Sequence, residues 1–148
     1  MLPAANVPWS FSLSYQLQST PVWIEFLRGT WCPNCKKRMA QLEPLKDEIE
    51  KLGMLVYVAA EKRSGMFDPV EYFEKHPSPY PFLLDEDRAV TKKYGVYHRL
   101  SFDAINIARP ASFIVGKDGK IRYLYVGASQ IDRAPVNEVL AAMRELQP

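Results

Sequence analysis

The sequence predicts an α/β fold: a central mixed β-sheet flanked by helices, with a βαβ half followed by a ββα half. Three observations carry that prediction. An apolar, β-prone run at Pro21–Leu27 leads into a stretch of helical periodicity and then into a second apolar run at Met54–Ala60. Two β-rich runs, Ser112–Val115 and Ile121–Val126, are joined by Gly116-Lys117-Asp118-Gly119-Lys120, and Asp-Gly is a strong hairpin signal. An amphipathic stretch marked by Val136, Val139, Leu140, Met143 and Leu146 follows them. With 148 residues and no repeat, linker or low-complexity tract, the chain reads as a single domain over 1–148.

Each element has its own reason. Pro21-Val22-Trp23-Ile24-Glu25-Phe26-Leu27 has the length and composition of a buried strand. Beyond it, Met39, Leu42, Leu45, Ile49 and Leu52 recur at steps of three and four, as one helix face does, and Gly53 supplies the stop. Pro44 falls inside that span and predicts a kink, because it lacks an amide donor and crowds the carbonyl of Ala40. Met54–Ala60 is the second strand, parallel to the first across a right-handed crossover. Asp68-Pro69-Val70-Glu71 opens a short helix with Asp68 as its cap, and the proline-rich His76–Phe82 stretch ends it. A further helix is expected over Glu86–Tyr94, stopping at Gly95. The connection Val96–Ala108 has no obvious role and is read as an interface or a substrate lip.

Composition narrows the function. A formal charge of +2, with basic residues scattered along the chain, argues against a nucleic-acid partner. No apolar run approaches the roughly 18–20 residues of a membrane span. Met1–Thr20 lacks the basic and apolar regions of a signal peptide, so a cytoplasmic location is expected. The cysteines decide more. There are two, Cys32 and Cys35, in one short motif. A bridge within four residues removes almost no chain entropy, so the pair is there to react and not to staple the fold. Zinc would need four ligands, and only His76 and His98 remain, without finger spacing. No metal and no organic cofactor is expected.

A redox cysteine needs its pKa lowered from about 8.5, since the thiolate is the nucleophile. Cys32 stands where the first strand turns into the first helix, with Pro33 at the first helical position, facing unpaired amides and the positive end of the helix dipole. Arg28, Lys36, Lys37 and Arg38 add positive charge in sequence, the last three expected on a solvated face. Cys35, one turn on, can close the bridge. Trp31 reads equally as packing or as a lid on the sulfur, and Tyr94, Tyr97, Tyr123 and Tyr125 as core and rim aromatics.

The run Pro21–Phe26 followed by Trp31-Cys32-Pro33-Asn34-Cys35-Lys36 resembles the active-site strand and motif of the thioredoxin superfamily. Arg28–Cys35 is more specifically similar to the peroxiredoxin-like branch, the alkyl hydroperoxide reductase/thiol-specific antioxidant (redoxin) proteins. So are Tyr80–Asp85 with Lys93–Val96, and Arg109–Val115 with its hairpin. The resemblance implies a thioredoxin-like fold, with Cys32 and Cys35 as the catalytic, redox-active pair. It implies a disulfide or peroxide substrate and a thioredoxin-like or small-thiol reductant. It also implies that Pro110 is a cis-proline beside the active site, with Arg109 next to it. Two positions depart from the peroxidase pattern: Gly29 stands where a threonine is usual and Glu25 where a proline is usual. The family's arginine position coincides with Pro110, one residue beyond Arg109. The expected activity is therefore dithiol–disulfide exchange, with thiol peroxidase and a redox-inactive binding module as alternatives. His98 is expected to be a loop histidine.

Overall fold

The computed structural model describes residues 1–62, 68–100, 105–129 and 131–148. In chain order the elements are β1 (Leu2–Pro3), β2 (Ser10–Phe11), α1 (Leu13–Gln16), β3 (Val22–Leu27), α2 (Pro33–Leu42), a 3₁₀ turn (Glu43–Leu45), α3 (Lys46–Leu52) and β4 (Met54–Ala59). They continue as α4 (Pro69–Lys75), β5 (Phe82–Leu84), α5 (Ala89–Lys93), β6 (Tyr97–Leu100), β7 (Ile105–Ala108), β8 (Ala111–Val115), β9 (Ile121–Val126) and α6 (Val136–Glu145).

The central sheet has five strands in the order β5-β4-β3-β8-β9. β3 runs parallel to β4 and antiparallel to β8, and β8 pairs antiparallel with β9. This is the mixed sheet expected from the apolar runs, with β3 at its centre and buried throughout. Alternation along β3 divides the core. Trp23 and Leu27 pack with Met39, Leu42, Ile49, Val139 and Met143 on the helical face. Val22, Ile24 and Phe26 pack on the other face with Phe11, Val56, Phe113 and Val115. Each such side chain contributes about 1.5–3 kcal/mol by leaving water. The second face is only partly covered. A groove of about 550 Å³ remains there, floored by Ile24, Val56 and Phe113 with Lys93 at its edge.

The first long helix is broken and not merely kinked. α2 stops at Leu42, the 3₁₀ turn carries Pro44, and α3 resumes at Lys46. The missing proline amide leaves carbonyls unpaired at the break, and the Tyr80 hydroxyl donates to the Leu42 carbonyl at 2.7 Å. The cap of α4 forms as the sequence indicates, with Asp68 Oδ1 accepting from the amides of Val70 and Glu71. α5 begins only at Ala89, later than expected, because Asp85 draws the preceding residues into a turn: its carboxylate accepts from the Thr91 amide and hydroxyl and from the Val90 amide.

The 96–108 connection contains an antiparallel pair, β6 with β7, and His98 stands in β6 and not in a loop. Its side chain, and residues 101–104, lie outside the described residues. The expected cis-proline is overturned: among the described residues there is no cis peptide bond, and Arg109–Pro110 is trans. Trans is the lower-energy isomer by about 0.5–1 kcal/mol. The segment is held without the bend, by the Arg109 amide on the Val96 carbonyl and the Gly127 amide on the Pro110 carbonyl, each at 2.7 Å. No described helix is long and apolar enough to cross a membrane.

Candidate active site

The site lies where β3 gives way to α2. Cys32 is the N-cap of α2, in extended conformation, and Pro33 is the first helical residue. The proline needs no amide partner there and its fixed φ suits the helix. One turn later, the Lys36 amide closes on the Cys32 carbonyl at 3.0 Å, which brings Cys35 beneath Cys32. Both thiols are free and both side chains are buried.

The two sulfurs have different partners. The Arg28 guanidinium approaches Cys32 Sγ at 3.7 Å, and lies 5.1 Å from the centre of the Trp31 ring. Hydrogen bonding from the Cys35 thiol, then from its amide, together with the Arg28 charge, pulls Cys32 down to about 5 against the opposing effect of burial. Cys35 accepts from the Arg28 amide at 3.2 Å and from Arg133 Nη2 at 3.5 Å. Burial first, and then its bond to Cys32, push the Cys35 thiol well above the ordinary range, with the Arg133 charge acting the other way. At neutral pH one sulfur is a thiolate and the other holds its proton.

Beneath the pair lies a buried polar network. Glu25, in the middle of β3, accepts from Trp23 Nε1 at 2.9 Å, from Arg38 Nε at 2.8 Å and from Ser112 Oγ at 2.5 Å. Arg38 also donates to the Ala134 carbonyl at 2.9 Å. Arg38 is 3% exposed, so the solvated face expected for Lys36, Lys37 and Arg38 holds for the two lysines alone. The correction has a direct cause: a carboxylate inside an apolar strand demands a cation, and Arg38 is the residue of α2 that reaches it.

On the opposite side Glu61, two residues beyond β4, grips the loop ahead of the motif. Its carboxylate accepts from the Thr30 amide at 2.5 Å and from the Thr30 hydroxyl at 3.2 Å. Burial pushes Glu61 up to about 7 although both bonds oppose that. Gly29 is needed at the bend: a Cβ there would sit 2.3 Å from Trp31 Nε1 and 3.0 Å from Glu61 Oε1. Thr30 and Trp31 also line a cleft of about 390 Å³ whose far wall is Tyr72 of α4 and His76 just past its end.

The structure therefore brings Cys32, Cys35, Trp31 and Pro33 together. Pro110 stands at the same end of the sheet, one residue before Ala111, which pairs with Phe26. Arg109 is not joined to either sulfur by a hydrogen bond among the described residues; the guanidinium groups that reach the sulfurs are those of Arg28 and Arg133. Glu61 and Arg133 escape the sequence reading. A carboxylate ending an apolar strand is a faint signal for Glu61, whereas Arg133 is 98 residues from its sulfur and gives none.

With that geometry in view, the Redoxin family profile matches residues 2–140. The chain belongs to the Redoxin family. Among solved structures, this redoxin is similar to the peroxidoxin BcpB of Mycobacterium tuberculosis, with a TM-score of 0.81 at 21% identity over 99% of this chain and 92% of that one. It is similar also to the bacterioferritin comigratory protein of Xanthomonas campestris, with a TM-score of 0.76 at 16% identity over 100% and 96% of the two chains. These likenesses establish the thioredoxin-like fold. Among curated sequences, the thiol-disulfide oxidoreductase ResA of Bacillus thuringiensis is 26% identical over 93 residues, 63% of this redoxin and 47% of that protein. The ResA of Geobacillus thermodenitrificans is 23% identical over 67% of this chain and 51% of its own. The redoxin chain thus spans about half the length of the curated relatives it matches.

Proposed function

We propose that the chain is a thiol–disulfide oxidoreductase in which Cys32 attacks a substrate disulfide and Cys35 resolves the mixed disulfide. The observation that carries this reading is the unequal setting of the two sulfurs, with Cys32 at the helix N-terminus beside Arg28 and Cys35 buried one turn deeper. The Cys32 thiolate displaces one substrate sulfur as a thiol. Cys35 then displaces the other, leaving the Cys32–Cys35 disulfide, and a thioredoxin-like partner or a small thiol returns the pair to the dithiol. Since Cys32 is fully buried, the reaction requires a local opening around it. The cleft walled by Trp31 and Tyr72 reaches Trp31, the residue before Cys32 in the chain.

One observation favours thiol peroxidase as the second reading. A buried sulfur with a guanidinium at 3.7 Å is accessible to a peroxide more readily than to a protein, and a guanidinium can stabilise charge on a departing oxygen. Against it stand Gly29 at the usual threonine position and the absence of a hydrogen bond from Arg109 to Cys32 among the described residues.

A side-by-side assay separates the two. Reduced protein is expected to turn over protein disulfides at least about tenfold more efficiently in kcat/KM than hydrogen peroxide, roughly 1.4 kcal/mol. Cys35→Ser should accumulate a mixed disulfide and Cys32→Ser should abolish turnover. Peroxide turnover exceeding disulfide turnover overturns the assignment.

A further inference from the structure

Cys35 must become a nucleophile while remaining in the core. Among the described residues, the Arg133 guanidinium reaches its sulfur, with Nη2 3.5 Å away. Its placement is built, not incidental. Asp132 is tied to the end of β9, where its carboxylate accepts from the Tyr125 hydroxyl at 2.6 Å and from the Ala128 amide at 2.8 Å. On the other side the Ala134 carbonyl is held by Arg38, three residues past Cys35 on α2. Arg133 is thus bracketed by two anchored neighbours, and its side chain spans from the 131–135 segment to the sulfur.

We propose that Arg133 is the catalytic residue that readies Cys35 for the resolving step, by holding positive charge against its sulfur as the proton leaves. The inference rests on the reading of Cys32 as the attacking thiol. Once Cys32 is joined to substrate its negative charge is gone, and burial is then the obstacle to ionising Cys35. The thiol gives its proton to water, and the Cys35 thiolate attacks Cys32 Sγ. The bond between Cys32 and the substrate sulfur breaks, its electron pair leaves with the substrate as a thiolate, and that thiolate takes a proton from solvent. Two electrons pass from the dithiol to the substrate disulfide. Arg133 keeps all its protons and acts by charge alone.

The test uses reduced protein and dithiobis-nitrobenzoate as the disulfide, which releases one coloured thiolate on attack by Cys32 and a second on resolution by Cys35. In Arg133→Met the first release is expected to keep its rate within about twofold. The second is expected to slow about tenfold at pH 7, with its pH midpoint displaced upward by about one unit. Arg133→Lys should recover part of the loss, since it restores charge without the fixed fork. A second release with unchanged rate and midpoint overturns the proposal. So does an equal slowing of both releases, or a slowing that lysine does not relieve, since either marks a role in packing. A parallel measurement keeps the two readings apart. In the Cys32→Ser background the thiolate absorbance of Cys35 should titrate at higher pH when Arg133 is replaced by Met. That result with no mixed disulfide in Cys35→Ser sinks the proposed function and leaves the Arg133–Cys35 pairing standing. An unchanged titration sinks the pairing.

Discussion

Arg28 touches both sulfurs, its side chain at Cys32 Sγ and its amide at Cys35 Sγ, and its charge adds to the Cys35 hydrogen bonds that lower Cys32. Replacing it by Met removes the charge and keeps the amide. The alkylation rate of Cys32, expected to rise through a midpoint near pH 5 in the parent protein, should shift upward by about one unit in Arg28→Met. Iodoacetamide kinetics across pH 4–9 read this directly, and an unmoved midpoint would assign the low value to the hydrogen bonds from Cys35. The Glu25–Arg38 pair calls for a different test. Arg38→Met strands a buried carboxylate and should cost about 3–5 kcal/mol in urea denaturation. The double variant Glu25→Gln with Arg38→Met should recover much of that, because the charge left behind is the larger part of the penalty. Glu25 shows what a sequence can disclose: a carboxylate among Trp23, Ile24 and Phe26 announces a buried partner. The partner's identity is less legible, because Arg38 sits among Lys36 and Lys37 and looks like one more surface cation until the helix phase is known.

At the scale of elements, the break between α2 and α3 was legible as a proline inside a helical period, but its compensation was not. Tyr80 comes from a proline-rich connection 38 residues away, and nothing local pairs it with the Leu42 carbonyl. Tyr80→Phe should lower stability by about 1 kcal/mol, with little effect on the cysteine chemistry. Chemical denaturation checks the first and alkylation rates the second. The strands and α6 follow from pattern because burial on one or two faces imposes its period on the residues. The short elements do not. β1, β2 and α1 span two to four residues each, too few to show a period, and β5 is a three-residue strand that starts at the last residue of a segment that reads as a helix breaker. The trans Arg109–Pro110 bond was beyond pattern altogether, since isomer choice depends on the contacts of both flanks.

For the whole molecule, the site's titrations make opposite contributions to the stability of the reduced fold. Cys32 is depressed from 9.0 to about 5, so its contribution is full above pH 9 and is lost as pH falls toward 5. Glu61 is raised from 4.5 to about 7, so its contribution is full below pH 4.5 and is lost as pH rises through 7. Between pH 5 and 7 the two slopes oppose each other. From pH 7 to 9 only that of Cys32 remains, and stability should climb by up to about 1.4 kcal/mol per pH unit. Urea midpoints of the reduced protein are therefore expected to change little across the first interval and to rise across the second. Cys32→Ser should remove the rise, and Glu61→Gln should extend it down toward pH 5. A Glu61→Gln profile that parallels the parent's would show that Glu61 does not titrate in this range.

The guanidinium beside Cys32 also has an energetic consequence for the direction of electron flow. Whatever favours the thiolate favours the reduced protein over its disulfide. In a two-electron couple about 1.4 kcal/mol, the worth of one pKa unit, equals about 30 mV. A Cys32 drawn toward 5 therefore makes the Cys32–Cys35 disulfide a more avid electron acceptor than a pair of ordinary thiols would form. Such a dithiol is regenerated readily by its own reductant. Under the proposed function, it would reduce to completion only those disulfides that are themselves strained or exposed, and would leave well-packed structural bridges intact.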